Sequence, residues 1–266
     1  MLFGISAILR KAREAGVKEP EPTGFDALNR VWEGGFRPKG LIVIGMPSSA
    51  GKTSNCVSFA CERARQGRPS LINSFEQPSE EILFKSICNL SGVLTLDQAE
   101  NPDKNIRSQE EWDSLKYAES MLDKWVRVYD QSCKPPEIAM RVRRHQAEFG
   151  PSMDWTAVDH IGAFGDGGKG AAERSYELES YAKFMKQDVS NKYGVCSVLY
   201  SQVSEEMEKQ LKESNDTSTD QLRGSRGIKM WADVMAVGCR HNTKVKGLSG
   251  RLEYDQNYMN VSVLKT

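Results

Sequence analysis

The sequence predicts an α/β domain with a mostly parallel central sheet and helices on both faces. Two observations carry this. Short apolar runs rich in β-branched residues alternate with longer segments of helical period from residue 41 to the end. One of those runs, Leu41-Ile42-Val43-Ile44, leads through the Gly/Ser segment Gly45–Thr53, GMPSSAGKT, into a helix-like stretch, Ser54–Gln66. The chain has 266 residues, enough for one large domain or two small ones.

Taken in order, residues 2–15 place Leu2, Ile5, Ile8/Leu9 and Ala12 at helical spacing, with Arg10, Lys11, Arg13 and Glu14 on the remaining surface. Gly16 and the Glu-Pro-Glu-Pro stretch at 19–22 end this helix and form a stiff linker. Such a helix either docks its apolar stripe on a partner or folds back on its own core. We divide the chain into 1–18, this helix, and 19–266, the main domain. Strands are predicted at 41–45, 70–75, 126–129, 155–159, 195–200, 233–239 and 259–264, and helices at 53–66, 79–90, 109–123, 135–148 and 172–192. In such a sheet, ligands bind at the carboxyl ends of the strands. No internal repeat is visible, and the least structured segment is Ser214–Asp220, SNDTSTD.

The 36 Lys and Arg balance 36 Asp and Glu, so no global basic footprint announces nucleic acid, and any polyanion contact must come from local loops. Six cysteines with no C-x-x-C pair, several inside apolar stretches, suit reduced thiols in a cytosol. The three histidines, His145, His160 and His241, show no metal-ligand spacing. No apolar run reaches membrane-spanning length, and the N-terminus lacks the basic region of a signal peptide, so no membrane association is expected.

GMPSSAGKT reads as a phosphate cradle. Its backbone N–H groups and the helix N-terminus face a β-phosphate, Lys52 adds a point charge to the β/γ oxygens, and Thr53 offers a hydroxyl to Mg²⁺. The nucleotide-contacting set is Gly45, Ser48, Ser49, Ala50, Gly51, Lys52, Thr53 and Ser54. The first glycine is displaced: Met46 stands where the pattern puts Gly, and Gly45 lies one residue further out. The competing reading is an ordinary Gly-rich turn.

Asp159 closes the apolar strand WTAVD, where an acid beside a P-loop anchors Mg²⁺ through water; alone, a strand-end Asp is more often a helix cap. Glu76, just past strand 70–75, is placed to orient and deprotonate an attacking water, or else is a solvated carboxylate before the helix that Ser79 opens. Gln202, past strand 195–200, can hydrogen-bond a γ-phosphate or be a surface amide. The segment QLRGSRGIK brings Arg223, Gly224, Arg226 and Lys229 together as a phosphodiester contact, or as a helix N-terminus with solvated charges. A second loop, Gly165–Arg174, carries Lys169 and Arg174, or is a plain connector.

Together these residues resemble the RecA-fold motor domain of hexameric replicative DNA helicases, the DnaB-type and phage primase-helicase group of superfamily four. The carrying segments are Pro22-Thr-Gly-Phe-Asp-Ala-Leu-Asn with Gly34-Gly35-Phe-Arg-Pro-Lys-Gly40, SFEQPSEE (74–81), PPEIAMRVRRHQAEFG (135–150) with VDHI (158–161), SQ (201–202) and DQLRGSRGIKMWAD (220–233). The resemblance covers about residues 22–266. It implies a RecA-like P-loop NTPase core binding ATP or another NTP with Mg²⁺. Lys52, Thr53, Glu76, Asp159 and Gln202 form its ATP site, and Arg223, Gly224 and Arg226 touch single-stranded DNA. It also implies a homohexameric ring in which helix 2–15 ties neighbours together and Lys265, in VSVLKT, reaches the next subunit's nucleotide. The family's late strand continues to an Arg that would lie past Thr266, so the C-terminal end is expected to be incomplete, or else the protein departs from the family here. No primase or N-terminal collar domain is visible. A primase or a helicase loader is a further expected partner. The phage-like DHI and LRGS segments point to a phage-encoded protein acting in a bacterial cytoplasm. Two other classes share part of the pattern: a RecA-fold ATPase that is not a helicase, such as a recombinase or a clock or signalling ATPase, and a nucleotide-binding module without turnover.

Overall fold

A computed structural model of the chain describes residues 19–164, 171–203, 225–240, 244–246, 252–254 and 259–265. The predicted helix 2–15, the loop residues Lys169, Arg223 and Gly224, and Ser214–Asp220 lie outside the described residues, and only the backbone is described for Arg174, Arg226 and Lys265.

The chain enters through α1 (Asp26–Val31) and then alternates β1 (Leu41–Met46), α2 (Lys52–Arg65), β2 (Ser70–Ser74) and α3 (Ser79–Ser91). Two short helices, α4 (Leu96–Glu100) and α5 (Pro102–Asn105), precede α6 (Gln109–Trp125), β3 (Val126–Tyr129), α7 (Pro135–Phe149) and β4 (Trp155–Asp159). The second half carries α8 (Ala171–Phe184), β5 (Cys196–Gln202), α9 (Ser225–Trp231), β6 (Val234–Arg240), β7 (Lys244–Lys246), β8 (Leu252–Tyr254) and β9 (Met259–Lys265). The main sheet has seven strands in the order β3-β2-β4-β5-β1-β6-β9. The first six are mutually parallel, and β9 runs antiparallel on the edge of β6. β7 and β8 form a separate antiparallel pair.

Because the six strands are parallel, all their carboxyl ends lie on one edge. β1 is followed in sequence by β2, yet its neighbours in the sheet are β5 and β6. The strand order therefore switches at β1, where the crevice of an open α/β sheet forms.

Side chains alternate across the sheet. Ile42, Ile44, Ile72, Ala157, Val198 and Tyr200 pack with Phe59 and Ala60 of α2, Ile82 and Leu90 of α3, and Leu115 of α6. On the other face Leu41, Val43, Leu71, Val158 and Leu199 pack with Ile138 and Val142 of α7, Leu178 and Ala182 of α8, and Ile228 of α9. Both faces are buried, which is why these strands are apolar runs rather than alternating ones.

The predicted strands are found, with ends shifted by at most two residues. The predicted helix 172–192 is not uniform: it is α-helical to Phe184 and continues as a wider π-helical turn over Met185–Asn191. α4 and α5 were not anticipated, because five and four residues are too few to show a helical period. α4 instead rests on a capping box in which Thr95 and Gln98 satisfy each other's backbone N–H.

A buried ion pair pins α2 to β4. Arg63, 1% exposed, donates from Nη2 to Asp154 Oδ1 at 2.5 Å and to the Pro69 carbonyl at 3.1 Å, and its guanidinium lies 5.8 Å from the Trp155 ring centroid. Arg68 pairs with the other Asp154 oxygen and, at 2.6 Å, with Glu21. Burial pulls the Arg63 guanidinium below its ordinary pKa, and Asp154 opposes that shift.

Candidate nucleotide site

The displaced glycine has a structural explanation. β1 runs through Met46, whose fully buried side chain joins the core, and Gly45 is an ordinary strand residue between Ser201 and Val237. The loop proper is Pro47–Gly51. Its turn is made by Ser49 at φ 59° and Gly51 at φ 101°, and the second of these is a backbone geometry that suits glycine. Ala50 is buried beneath the loop.

Gly51 is the N-cap of α2 and offers no side chain to the N–H groups of the first turn. Those donors, at the positive end of a 14-residue helix, are left for an anion. Lys52, the first helical residue, is buried and reaches back across the loop, donating from Nζ to the Pro47 carbonyl at 3.1 Å. Its charge is thus held inside the cradle.

Strand ends on the same edge of the sheet complete the site. β4 ends in Asp159, 1% exposed, which accepts a 2.6 Å hydrogen bond at Oδ2 from the Thr53 hydroxyl. The other oxygen, Oδ1, is buried with no protein partner. Burial pushes the Asp159 carboxyl above its ordinary pKa. The Thr53 bond and the His160 and Lys52 charges pull the other way, and Glu76 adds to the rise. A hydroxyl and a carboxylate with an orphaned oxygen are the hard oxygen donors that Mg²⁺ prefers, so Thr53 and Asp159 fit the ion the sequence assigns to them.

β2 pairs Ser74 with Asp159, and the next residue, Phe75, donates its N–H to the Asp159 carbonyl at 2.7 Å. Glu76 then stands exposed at the strand tip, with its Oε2 3.1 Å from His160 Nδ1. Gln202 closes β5 opposite Met46, and Val203 N–H bonds the Met46 carbonyl at 3.3 Å, so the end of β5 is tied to the start of the loop. Ser48, Ser49, Gly51, Lys52, Thr53, Ser54 and Glu76 line one cleft of about 210 Å³, together with Gln77 and Lys85.

The remaining predicted residues lie elsewhere. The backbone of Lys265 pairs with Met235 at the amino end of β6, so a single chain does not bring it to this cleft. Arg226 and Lys229 lie on α9 rather than in a loop, and Arg174 is in the first turn of α8. The two helices lie against each other, with Gly227 packed on Glu179. Lys85 and His160 are the residues that sequence reasoning missed. Lys85, on α3, bonds Gln77 Oε1 at 2.6 Å. His160 joins Glu76 and Asp159 in a group whose nitrogen and oxygen ligand atoms all fall within 4.8 Å of one another. The one signal for His160 in the sequence was its place next to Asp159.

Asp159→Asn is expected to stabilise the nucleotide-free protein while destroying its metal response. The folded-state pKa of Asp159 is raised, so its ionised form opposes folding. That penalty sets in as pH rises from the ordinary Asp value of 3.8 through the raised value, and it is complete above it. Removing a buried, unsatisfied charged oxygen should gain about 1 kcal/mol at pH 7, a rise of about 2–4 °C in Tm, with no gain below the ordinary Asp pKa. Thermal melts across pH, with and without Mg²⁺, check this; a lower Tm at pH 7 contradicts it.

Comparison with known proteins shows the family and the fold. Residues 21–265 match the family described as DnaB-like helicase C terminal domain. The replicative DNA helicase DnaB of Pasteurella multocida (strain Pm70) is 27% identical over 218 residues, covering 80% of this chain and 44% of the relative. The replicative DNA helicase DnaC of Bacillus subtilis (strain 168) is 25% identical over 218 residues, covering 81% and 46%. The chain thus spans about half the length of these relatives. Among solved structures, the ATPase domain of G40P superposes with a TM-score of 0.74 at 15% identity, over 97% of this chain and 92% of that one. A DnaB-like replicative helicase, described with its interactions with primase, gives 0.73 at 15% identity, over 98% and 63%. At those identities the structural likeness shows the fold alone, a RecA-like α/β core. The match over residues 21–265 shows more: this chain belongs to the DnaB-like helicase C-terminal domain family.

Proposed function

We propose that this chain is the ATP-hydrolysing motor of a replicative DNA helicase, a homohexameric ring that moves on single-stranded DNA and unwinds duplex. The observation that carries the reading is the Thr53–Asp159 hydrogen bond with Glu76 standing beside it, because it joins the P-loop to two strand-end carboxylates in one site. The α2 N-terminus and Lys52 bind the phosphates, releasing Lys52 from the Pro47 carbonyl. Thr53 and Asp159 would hold Mg²⁺, which would supply charge neutralisation to the phosphate oxygens. Glu76 orients water and takes its proton. Gln202, tied to the loop through Met46, couples the γ-phosphate to the segment that follows β5.

Arg223, Gly224, Arg226 and Lys229, with Lys169 and Arg174, are the proposed DNA contacts. Phosphate contacts position a strand without reading its sequence, so binding should be sequence-independent and weaken steeply with salt. Lys265 serves a neighbour's nucleotide, in keeping with its distance from its own cleft. The similar DnaB-like helicase described with primase supports a primase as a further partner, and a helicase loader is the other partner we propose. The source we infer is a phage, with the protein acting in a bacterial cytoplasm; among the described residues no helix is long and apolar enough to cross a membrane.

The test is ATPase activity with and without single-stranded DNA, together with unwinding of a forked duplex. DNA-stimulated hydrolysis and unwinding are expected, both abolished by Lys52→Ala. Unwinding that survives Lys52→Ala sinks the reading. Hydrolysis with no DNA stimulation and no ring on sizing assigns the chain to the non-helicase ATPases of this fold.

A further inference from the structure

β2 and β4 leave the sheet side by side. Ser74 is paired with Asp159, and the Phe75 N–H bonds the Asp159 carbonyl, so the residues that follow, Glu76 and His160, emerge next to each other. His160 Nδ1 lies 3.1 Å from Glu76 Oε2. The two partners are not held equally. The Glu76 side chain is 45% exposed and His160 only 15%. His160 leads into the 3₁₀ turn Ile161–Phe164, anchored by the fully buried Ile161. Its ring rests on Gly162, where a Cβ would lie 2.9 Å from both Cδ2 and Nε2. The turn therefore sets the imidazole, and the imidazole sets the carboxylate.

Glu76 needs such a support. Asp159 carries a second carboxylate within 4.8 Å of it, and like charges at that range push an exposed side chain outward into solvent. An Nδ1–H donor on Oε2 offsets the repulsion and removes the rotamer freedom of a long side chain.

We propose that His160 is a positioning residue for the hydrolytic base: it holds Oε2 of Glu76 so that Oε1 faces the attacking water. This rests on Glu76 acting as the base. In the step, the water proton passes to Glu76 Oε1 as the water oxygen bonds the γ-phosphorus, and the bond from that phosphorus to the β,γ-bridging oxygen breaks, leaving ADP. His160 exchanges no proton with the substrate. The arrangement follows the general rule that a catalytic base is itself oriented by a third group.

DNA-stimulated ATPase of His160→Ala should show kcat lowered by about 10- to 100-fold, part of what a positioned base contributes, with KM for ATP and affinity for a fluorescent ATP analogue near the wild-type values. Asn places its Nδ2 where the histidine Nδ1 stood, so His160→Asn should recover most of the lost kcat. Gly162→Ala, which alters neither partner's side chain but sets a Cβ against the His160 ring, should push the ring off Glu76 and reproduce the loss in kcat. Unchanged kcat in His160→Ala overturns the proposal, and so does a His160→Asn variant as slow as the Ala variant with nucleotide affinity intact. If the wild-type protein hydrolyses no ATP, or Glu76→Gln hydrolyses it at the wild-type rate, the reading of the base fails first, and the two failures are told apart by those controls.

Discussion

Glu76→Gln is expected to reduce ATP turnover by about 10²–10⁴-fold, the range a positioned general base supplies, while leaving nucleotide binding intact. Gln keeps the shape of the side chain and can still hydrogen-bond, but it cannot accept the water proton. The groups proposed to bind the nucleotide are other residues of the same cleft, the Gly51–Lys52 helix start and the Thr53–Asp159 pair. Single-turnover hydrolysis measured beside titration of a fluorescent ATP analogue separates the two effects. A variant that loses affinity and rate together would show that Glu76 contributes to holding the nucleotide, and one with full rate would remove it from the chemistry.

Asp154→Ala is the substitution expected to cost most in stability, about 3–5 kcal/mol, the range for breaking a buried pair from one side. It strands Arg63, which is 1% exposed, can neither reach water nor readily lose its proton, and would keep only its bond to the Pro69 carbonyl. The double variant Arg63→Met with Asp154→Ala should recover a large part of the loss, because the buried charge goes with its partner. Urea unfolding of the single and double variants checks this. A double variant as unstable as Asp154→Ala alone would show that Asp154 acts mainly through the more exposed Arg68 and Glu21.

The parts of this site legible in the sequence are those with a local signature. GMPSSAGKT announces itself because strand, loop and helix are contiguous, and Gly51 and Lys52 stand at the junction itself. Asp159 and Glu76 were readable because each ends or follows a strand of the right apolar character, and in a parallel sheet all such ends share an edge. Met46 was misleading for the same local reason: the motif counts residues from the loop, whereas the strand and its core packing extend one residue further than the count implies. Arg63 sits in CERAR, inside the segment 53–66 that the sequence marks only as helix. Only the approach of Asp154, 91 positions later, makes it a buried pin.

Local periodicity and motif order thus determined the α/β class, the strands that build the sheet, and the proposed phosphate cradle with its strand-end carboxylates. They did so because each is written in fewer than about fifteen consecutive residues, within the reach of helical and strand repeats. The tertiary structure alone decided the strand order, with β1 between β5 and β6, the unpartnered Asp159 oxygen, the entry of Lys85 into the cleft and the His160–Glu76 contact. Each of these depends on which strand lies beside which, and pairing across 84 residues, as between Glu76 and His160, leaves no trace in the spacing of either segment.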